Sequence, residues 1–100
     1  MYLIARFRAG DFERWKQVFD ELQDLRIKHG GRGHRILRLL NEPQEYLVML
    51  EFASAGGAEA FRWEASLLRA IDAAGIEGGA HHVRYTLDRC EELEEATYQL

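Results

Sequence analysis

Proton transfer near neutral pH falls to four histidines, His29, His34, His81 and His82. His34 stands at the start of a predicted strand. It is a general base if it borders a cavity and a solvated strand-start histidine if it does not. His29 marks a helix end. His81 and His82 are adjacent, so on a strand they point to opposite faces and do not chelate together. No His-x-His or His-x-x-x-His spacing occurs, and the single cysteine, Cys90, has no obvious thiolate partner and no intramolecular disulfide. No metal site is expected.

Arginines carry the more specific signal. Arg6 and Arg38 each lie on a predicted strand among mainly apolar same-side neighbours. A buried guanidinium needs a carboxylate, carbonyls or an anionic ligand. An anion site competes with an edge position or a salt bridge, to Glu51 or to the acidic C-terminal stretch. Arg35 and Glu51 fall opposite each other in the expected hairpin. They read as a cross-strand ion pair rather than an acid–base pair. Trp15, Tyr46, Trp63 and Tyr85 are the aromatic groups available to hold a flat ligand, although aromatic side chains more often build cores.

The elements that position these groups follow from periodicity. Gly33–Phe52, GHRILRLLNEPQEYLVMLEF, is a strand–turn–strand pattern around the only proline, Pro43. With Asn41–Glu45 as the loop, Leu40 faces Tyr46, Leu39 faces Leu47, Leu37 faces Met49 and Arg35 faces Glu51. The other side carries Arg38 with Val48, Ile36 with Leu50 and His34 with Phe52. Both sides are mostly apolar, whereas a sheet with one wet face alternates apolar and polar residues. Tyr2–Phe7 is a first strand. Asp11 caps a helix over Phe12–His29, whose apolar stripe is Trp15, Val18, Phe19, Leu22, Leu25 and Arg26. Ile27 lies off that stripe. Gly30-Gly31 stops the helix. A second helix spans Ala58–Ala74, with Ser54 as a possible cap, Gly56 and Gly57 weakening its start, Trp63 beside its inner face and Gly75 as its stop. His82–Asp88 is a weakly alternating fourth strand, and Arg89–Leu100 is an acidic tail whose Leu93, Tyr98 and Leu100 dock somewhere.

This order is the ferredoxin-like βαββαβ arrangement, an α+β fold with a four-stranded antiparallel sheet in one domain over residues 1–100. Two helices cover one face of such a sheet. The second apolar face is expected to meet a second copy, giving a homodimer and a barrel closed across it.

Composition narrows the function classes. The chain is 47% hydrophobic and 30% charged, as in folded globular domains. Its net charge of −4 argues against nucleic-acid binding. MYLIARFRAG is broken by Arg6 and Arg8 and does not read as a signal peptide, and no run is long enough to cross a bilayer. No membrane partner and a cytoplasmic location are the expectation.

The stretches DFERWKQVFDE, GHRILR…NEPQEYLVMLEF, AEAF…LLRAIDAAGI and HHVRYTLDRCEE together resemble the antibiotic biosynthesis monooxygenase-like proteins of the dimeric α+β barrel superfamily, over about Met1–Glu92. The resemblance rests most on an aspartate-capped helix carrying Phe12-x-x-Trp15-Lys16 followed by the proline-containing hairpin. It implies a barrel on which some members oxidise polycyclic phenols without metal or flavin, some degrade haem, and some isomerise or cyclise small rings. The haem-degrading branch uses an asparagine on the first strand with a tryptophan and a histidine on the second helix. This chain has Ala5 and Arg6 on that strand and no histidine between Ala58 and Ala74. The expectation is a cofactor-independent oxygenase, isomerase or cyclase acting on a small aromatic or cyclic substrate. His34 would be its base, Arg6 or Arg38 would stabilise the anion, and Trp63, Tyr46 and Tyr85 would hold the substrate. The alternative is a non-catalytic homodimer that binds a small molecule or scaffolds another protein.

Overall fold

Two runs rich in leucine, β-branched and aromatic residues build the hairpin at the centre of the molecule. The computed structural model describes residues 1–77 and 90–99. In chain order these form β1 (Tyr2–Arg8), α1 (Phe12–Glu21), α2 (Gln23–Lys28), β2 (Gly31–Leu39), β3 (Glu42–Phe52), α3 (Ala55–Arg62), α4 (Ala65–Ala73) and β4 (Cys90–Thr97). The strands make one antiparallel sheet in the order β1-β3-β2-β4. The fold is therefore α+β with a four-stranded antiparallel sheet.

The hairpin is tighter than its sequence suggests. Leu40 and Asn41 alone make the turn, and Pro43 lies inside β3. The pairs are Arg38↔Tyr46, Leu37↔Leu47, Ile36↔Val48, Arg35↔Met49 and His34↔Leu50, two residues away from the expected register. A bulge between Arg38 and Leu39 takes up the difference. Pro43 is tolerated because pairing with β1 reaches only as far as Arg8↔Glu45, so its missing N–H interrupts no ladder bond on that side. A shift of two leaves every side chain on its original face. The expected Arg35–Glu51 pair is lost with that register: Arg35 lies opposite Met49 and reaches Glu95 of β4 at 3.5 Å.

Both expected helices are interrupted. The first breaks at Leu22, where the Phe19 carbonyl accepts from the Leu22 N–H at 3.2 Å and from Arg26 Nη1 at 2.8 Å. That carbonyl, so engaged, marks the break between α1 and α2. The second starts earlier than expected, at Ala55, because Ser54 Oγ accepts the Gly57 N–H at 3.1 Å. It breaks at Trp63–Glu64, where Glu64 adopts an extended backbone and its carboxylate is held by His29 Nε2 at 2.7 Å. Gly57 is required here, since a Cβ would collide with the His29 carbonyl oxygen. The expected stops at Gly30 and Gly75 are present, both with positive φ.

The C-terminal stretch is the largest departure. Cys90–Thr97, expected as part of an acidic tail, is strand β4 and pairs with β2 from Gly33↔Thr97 to Leu39↔Cys90. Glutamates are poor strand formers in isolation, but β2 offers a free edge and a row of basic partners. The strand expected at His82–Asp88, with Tyr85, lies outside the described residues.

One face of the sheet carries the core. Phe7, Ile36, Tyr46, Val48, Leu50 and Phe52 pack against Trp15 and Phe19 of α1 and Ala58 and Phe61 of α3. Trp15 is the hub: its ring centroid lies 4.9 Å from those of both Phe7 and Phe19, and it is nearly parallel to Tyr46 at 6.4 Å. The opposite face bears Ile4, Leu37, Leu47 and Met49, all only partly buried, with Tyr2 55% exposed beside them.

Candidate functional site

Between the helix-bearing face of the sheet and the helices lies a cavity of about 620 Å³. Leu3, Ala5 and Phe7 of β1 and Val48 and Leu50 of β3 form its floor. Its walls come from Trp15, Phe19 and Leu22 on one side and Phe61, Leu67 and Ile71 on the other. These positions face inward because β1 and β3 alternate and because α1 and α4 each present an apolar stripe. Among the described residues, two charged ones also line it, Arg26 and Arg62.

Arg62 is a rim residue. Its guanidinium sits 5.0 Å from the Trp63 ring and 3.6 Å from Glu59. Trp63, 64% exposed, lies at the same rim and donates from Nε1 to Glu59 at 3.3 Å. The expectation that Trp63 stands beside the core matches this placement.

Arg26 is different, being only 1% exposed. Its guanidinium packs 3.8 Å from the centre of the Phe19 ring. Nε donates to Tyr98 Oη at 2.6 Å and Nη1 to the Phe19 carbonyl at 2.8 Å. From Arg26 a chain of hydrogen bonds runs through the protein. Tyr98 Oη is 2.7 Å from His34 Nδ1, and His34 Nε2 is 3.0 Å from Glu94 Oε1. Glu94 Oε2 is in turn 2.7 Å from Lys16 Nζ, which also holds Asp20 at 2.6 Å.

The donors and acceptors fix the protons. Arginine only donates, so Tyr98 Oη accepts from it, and the one hydroxyl proton goes to His34 Nδ1. His34 is then the neutral Nε2–H tautomer and donates to Glu94. Electrostatics agree. Burial pushes the His34 pKa below its ordinary 6.5, aided by the charges of Arg26 and Lys16, although Glu94 pulls the other way. Burial also raises the Tyr98 hydroxyl, against the pull of Arg26. For Glu94 burial alone would raise the carboxyl, but Lys16 and His34 outweigh it and hold it low.

The residues singled out by sequence are spread over the molecule. His34 is 5% exposed, its ring nitrogens both occupied, and it is not among the described residues lining the cavity. Tyr46 is a core residue beneath Phe12 and Trp15. Arg38 shares the inner side of β2 with His34, lies 5.7 Å from the Tyr46 ring and 6.0 Å from the Phe12 ring, and is 3.9 Å from Glu91. Its Nε is buried without a hydrogen-bond partner among the described residues. Arg6 is on the other face, bound through Nε and Nη2 to Glu45 at 2.8 and 2.7 Å. Tyr85 lies outside the described residues.

Sequence reasoning missed Arg26, Tyr98 and Glu94 as a unit. One signal was present: Arg26 occupies a position on an otherwise apolar stripe, where a cation has no solvent to face. Among the described residues no cluster of three or more histidine, cysteine, aspartate or glutamate side chains is arranged to hold a metal, and no helix is long and apolar enough to cross a membrane. No protein-family model, curated protein or solved structure matches the chain.

Proposed function

We propose that this protein is a homodimeric, ferredoxin-like small-molecule-binding protein whose cavity takes a small aromatic or cyclic compound. The cavity carries the reading. Its volume of about 620 Å³ falls within the range of ligand pockets, roughly 300–1,000 Å³, and its lining is apolar and aromatic with few polar groups. A ring-shaped apolar body fits walls made of Trp15, Phe19 and Phe61. Dimerisation would use the other sheet face, with Ile4, Leu37, Leu47 and Met49 at the centre and Arg6, Arg35, Glu45 and Glu95 around them. A two-fold partner brings basic groups of one copy to acidic groups of the other.

The test is direct. Ala70 lines the cavity and has no large side chain, so Ala70→Phe should fill part of the volume. Titration with 2-naphthol, followed by tryptophan fluorescence, should show saturable binding that weakens at least tenfold in Ala70→Phe. Absence of saturable binding to the unmodified protein by 2-naphthol, 2-naphthamide and 2-naphthoate would overturn the reading.

A second reading, catalysis of the antibiotic biosynthesis monooxygenase-like kind without a cofactor, draws on one observation. The Tyr98–His34–Glu94 chain begins at an arginine of the cavity wall. In such an enzyme Arg26 would stabilise an enolate or phenolate, with His34 and Glu94 as positioning residues behind it. Turnover of a panel of phenols, quinones and lactones, measured as oxygen uptake and product formation, is the check. An unaltered rate in His34→Ala would remove His34 from the mechanism.

A further inference from the structure

The guanidinium of Arg26 has three nitrogens, of which two have partners among the described residues. Nη2 is buried and has no hydrogen-bond acceptor among the described residues. The groups bound to Nε and Nη1 are a neutral hydroxyl and a neutral carbonyl. Neither Asp20 nor Glu94 is within ion-pairing distance of the guanidinium, and Lys16 Nζ engages both. A cation that never loses its proton is thus held in the apolar wall of a cavity, packed on Phe19, without a carboxylate of the described residues against it. Groups of this kind are paired when buried, because their hydration has been given up. The remaining described lining supplies no anion.

We infer that the ligand of this cavity is an anion, a small aromatic or cyclic carboxylate whose oxygen accepts from Arg26 Nη2 while its ring lies among Phe19, Phe61 and Leu67. This inference rests on the cavity being a ligand site and adds the charge of what occupies it. Tyr98 and the Phe19 carbonyl hold the guanidinium plane, so a ligand oxygen that reaches the buried Nη2 meets a guanidinium already fixed in place. Arg62, at the exposed rim and next to Glu59, would attract an anion but not fix it.

The experiment compares 2-naphthoate with 2-naphthamide, which share one ring and differ in charge. Isothermal titration of the unmodified protein should give at least tenfold tighter binding of the carboxylate. Arg26→Met should abolish that preference, chiefly by weakening 2-naphthoate, whereas Arg62→Gln should retain the preference. Equal binding of the two probes to the unmodified protein would overturn the anion inference and leave the cavity reading standing. Binding of neither overturns both. A preference that persists in Arg26→Met and disappears in Arg62→Gln would assign recognition to the rim and overturn the role of Arg26. Should Arg26→Met not fold, Arg26→Lys serves in its place, since a point charge without the planar fork should cut the preference several-fold.

Discussion

His34 illustrates how one buried side chain ties stability to pH. Its folded-state pKa lies below the unfolded value of 6.5 because burial disfavours the imidazolium. Between those two values the unfolded chain binds more protons than the folded one, so stability rises with pH across that window and falls on acidification through it. Protonation would also place an N–H at Nδ1, facing a Tyr98 oxygen that already accepts from Arg26. Urea midpoints measured from pH 7.5 down to pH 5 should fall in the native protein. They should fall by visibly less in His34→Gln, which cannot take up the proton. Matching pH slopes would show that His34 is not the group responsible. Glu94 contributes separately, at lower pH. Its folded pKa is depressed below 4.5, so the stability it confers is present above that value and disappears as pH drops through the folded pKa.

The helices show the same economy of contacts over several residues. Gly56 and Gly57 are neighbours in the first turn of α3, yet they have opposite requirements. A Cβ on Gly56 meets nothing within 4 Å, whereas one on Gly57 would strike the His29 backbone at the end of α2. Gly56→Ala should therefore stabilise the protein by about 0.4–1 kcal/mol, through a less flexible unfolded chain and better helix propensity. Gly57→Ala should destabilise it by about 1–3 kcal/mol, because α2 and α3 must move apart. Chemical denaturation of both variants decides this, and a similar response to the two substitutions would contradict the close approach. Glu64 explains why the chain bends where it does: its carboxylate is drawn to His29 and Lys28 across the gap between helices, at 2.7 and 3.6 Å. The second helix thus ends and restarts at Trp63–Glu64, leaving Trp63 at the cavity rim.

At the scale of the whole molecule, the sheet has one covered face and one largely apolar face that no described residue of the same copy covers. If a second copy is that cover, sedimentation should report a dimer at micromolar concentration. Leu47→Arg, placed in the middle of β3 on that face, should give a folded monomer with unchanged far-ultraviolet circular dichroism. A monomeric native protein would end the case for the shared barrel. Much of this architecture was legible in the residues themselves. The period of two in Tyr2–Phe7 and Gly33–Phe52 marks which side chains share a face, and Asp11, Gly30 and Gly75 mark helix ends, because these are local preferences that hold whatever the chain packs against. Other features were decided only in three dimensions. A period of two is blind to a shift of two, so the hairpin register awaited the bulge after Arg38. The glutamate-rich stretch after Cys90 has no strand signal of its own and becomes β4 only against the free edge of β2. An arginine on an apolar stripe is visible in the sequence as an oddity, but its partners, Tyr98 and the Phe19 carbonyl, and the nitrogen left over beside a cavity, exist only where distant segments meet. Periodicity records which way a residue faces, and tertiary contact alone determines what it faces.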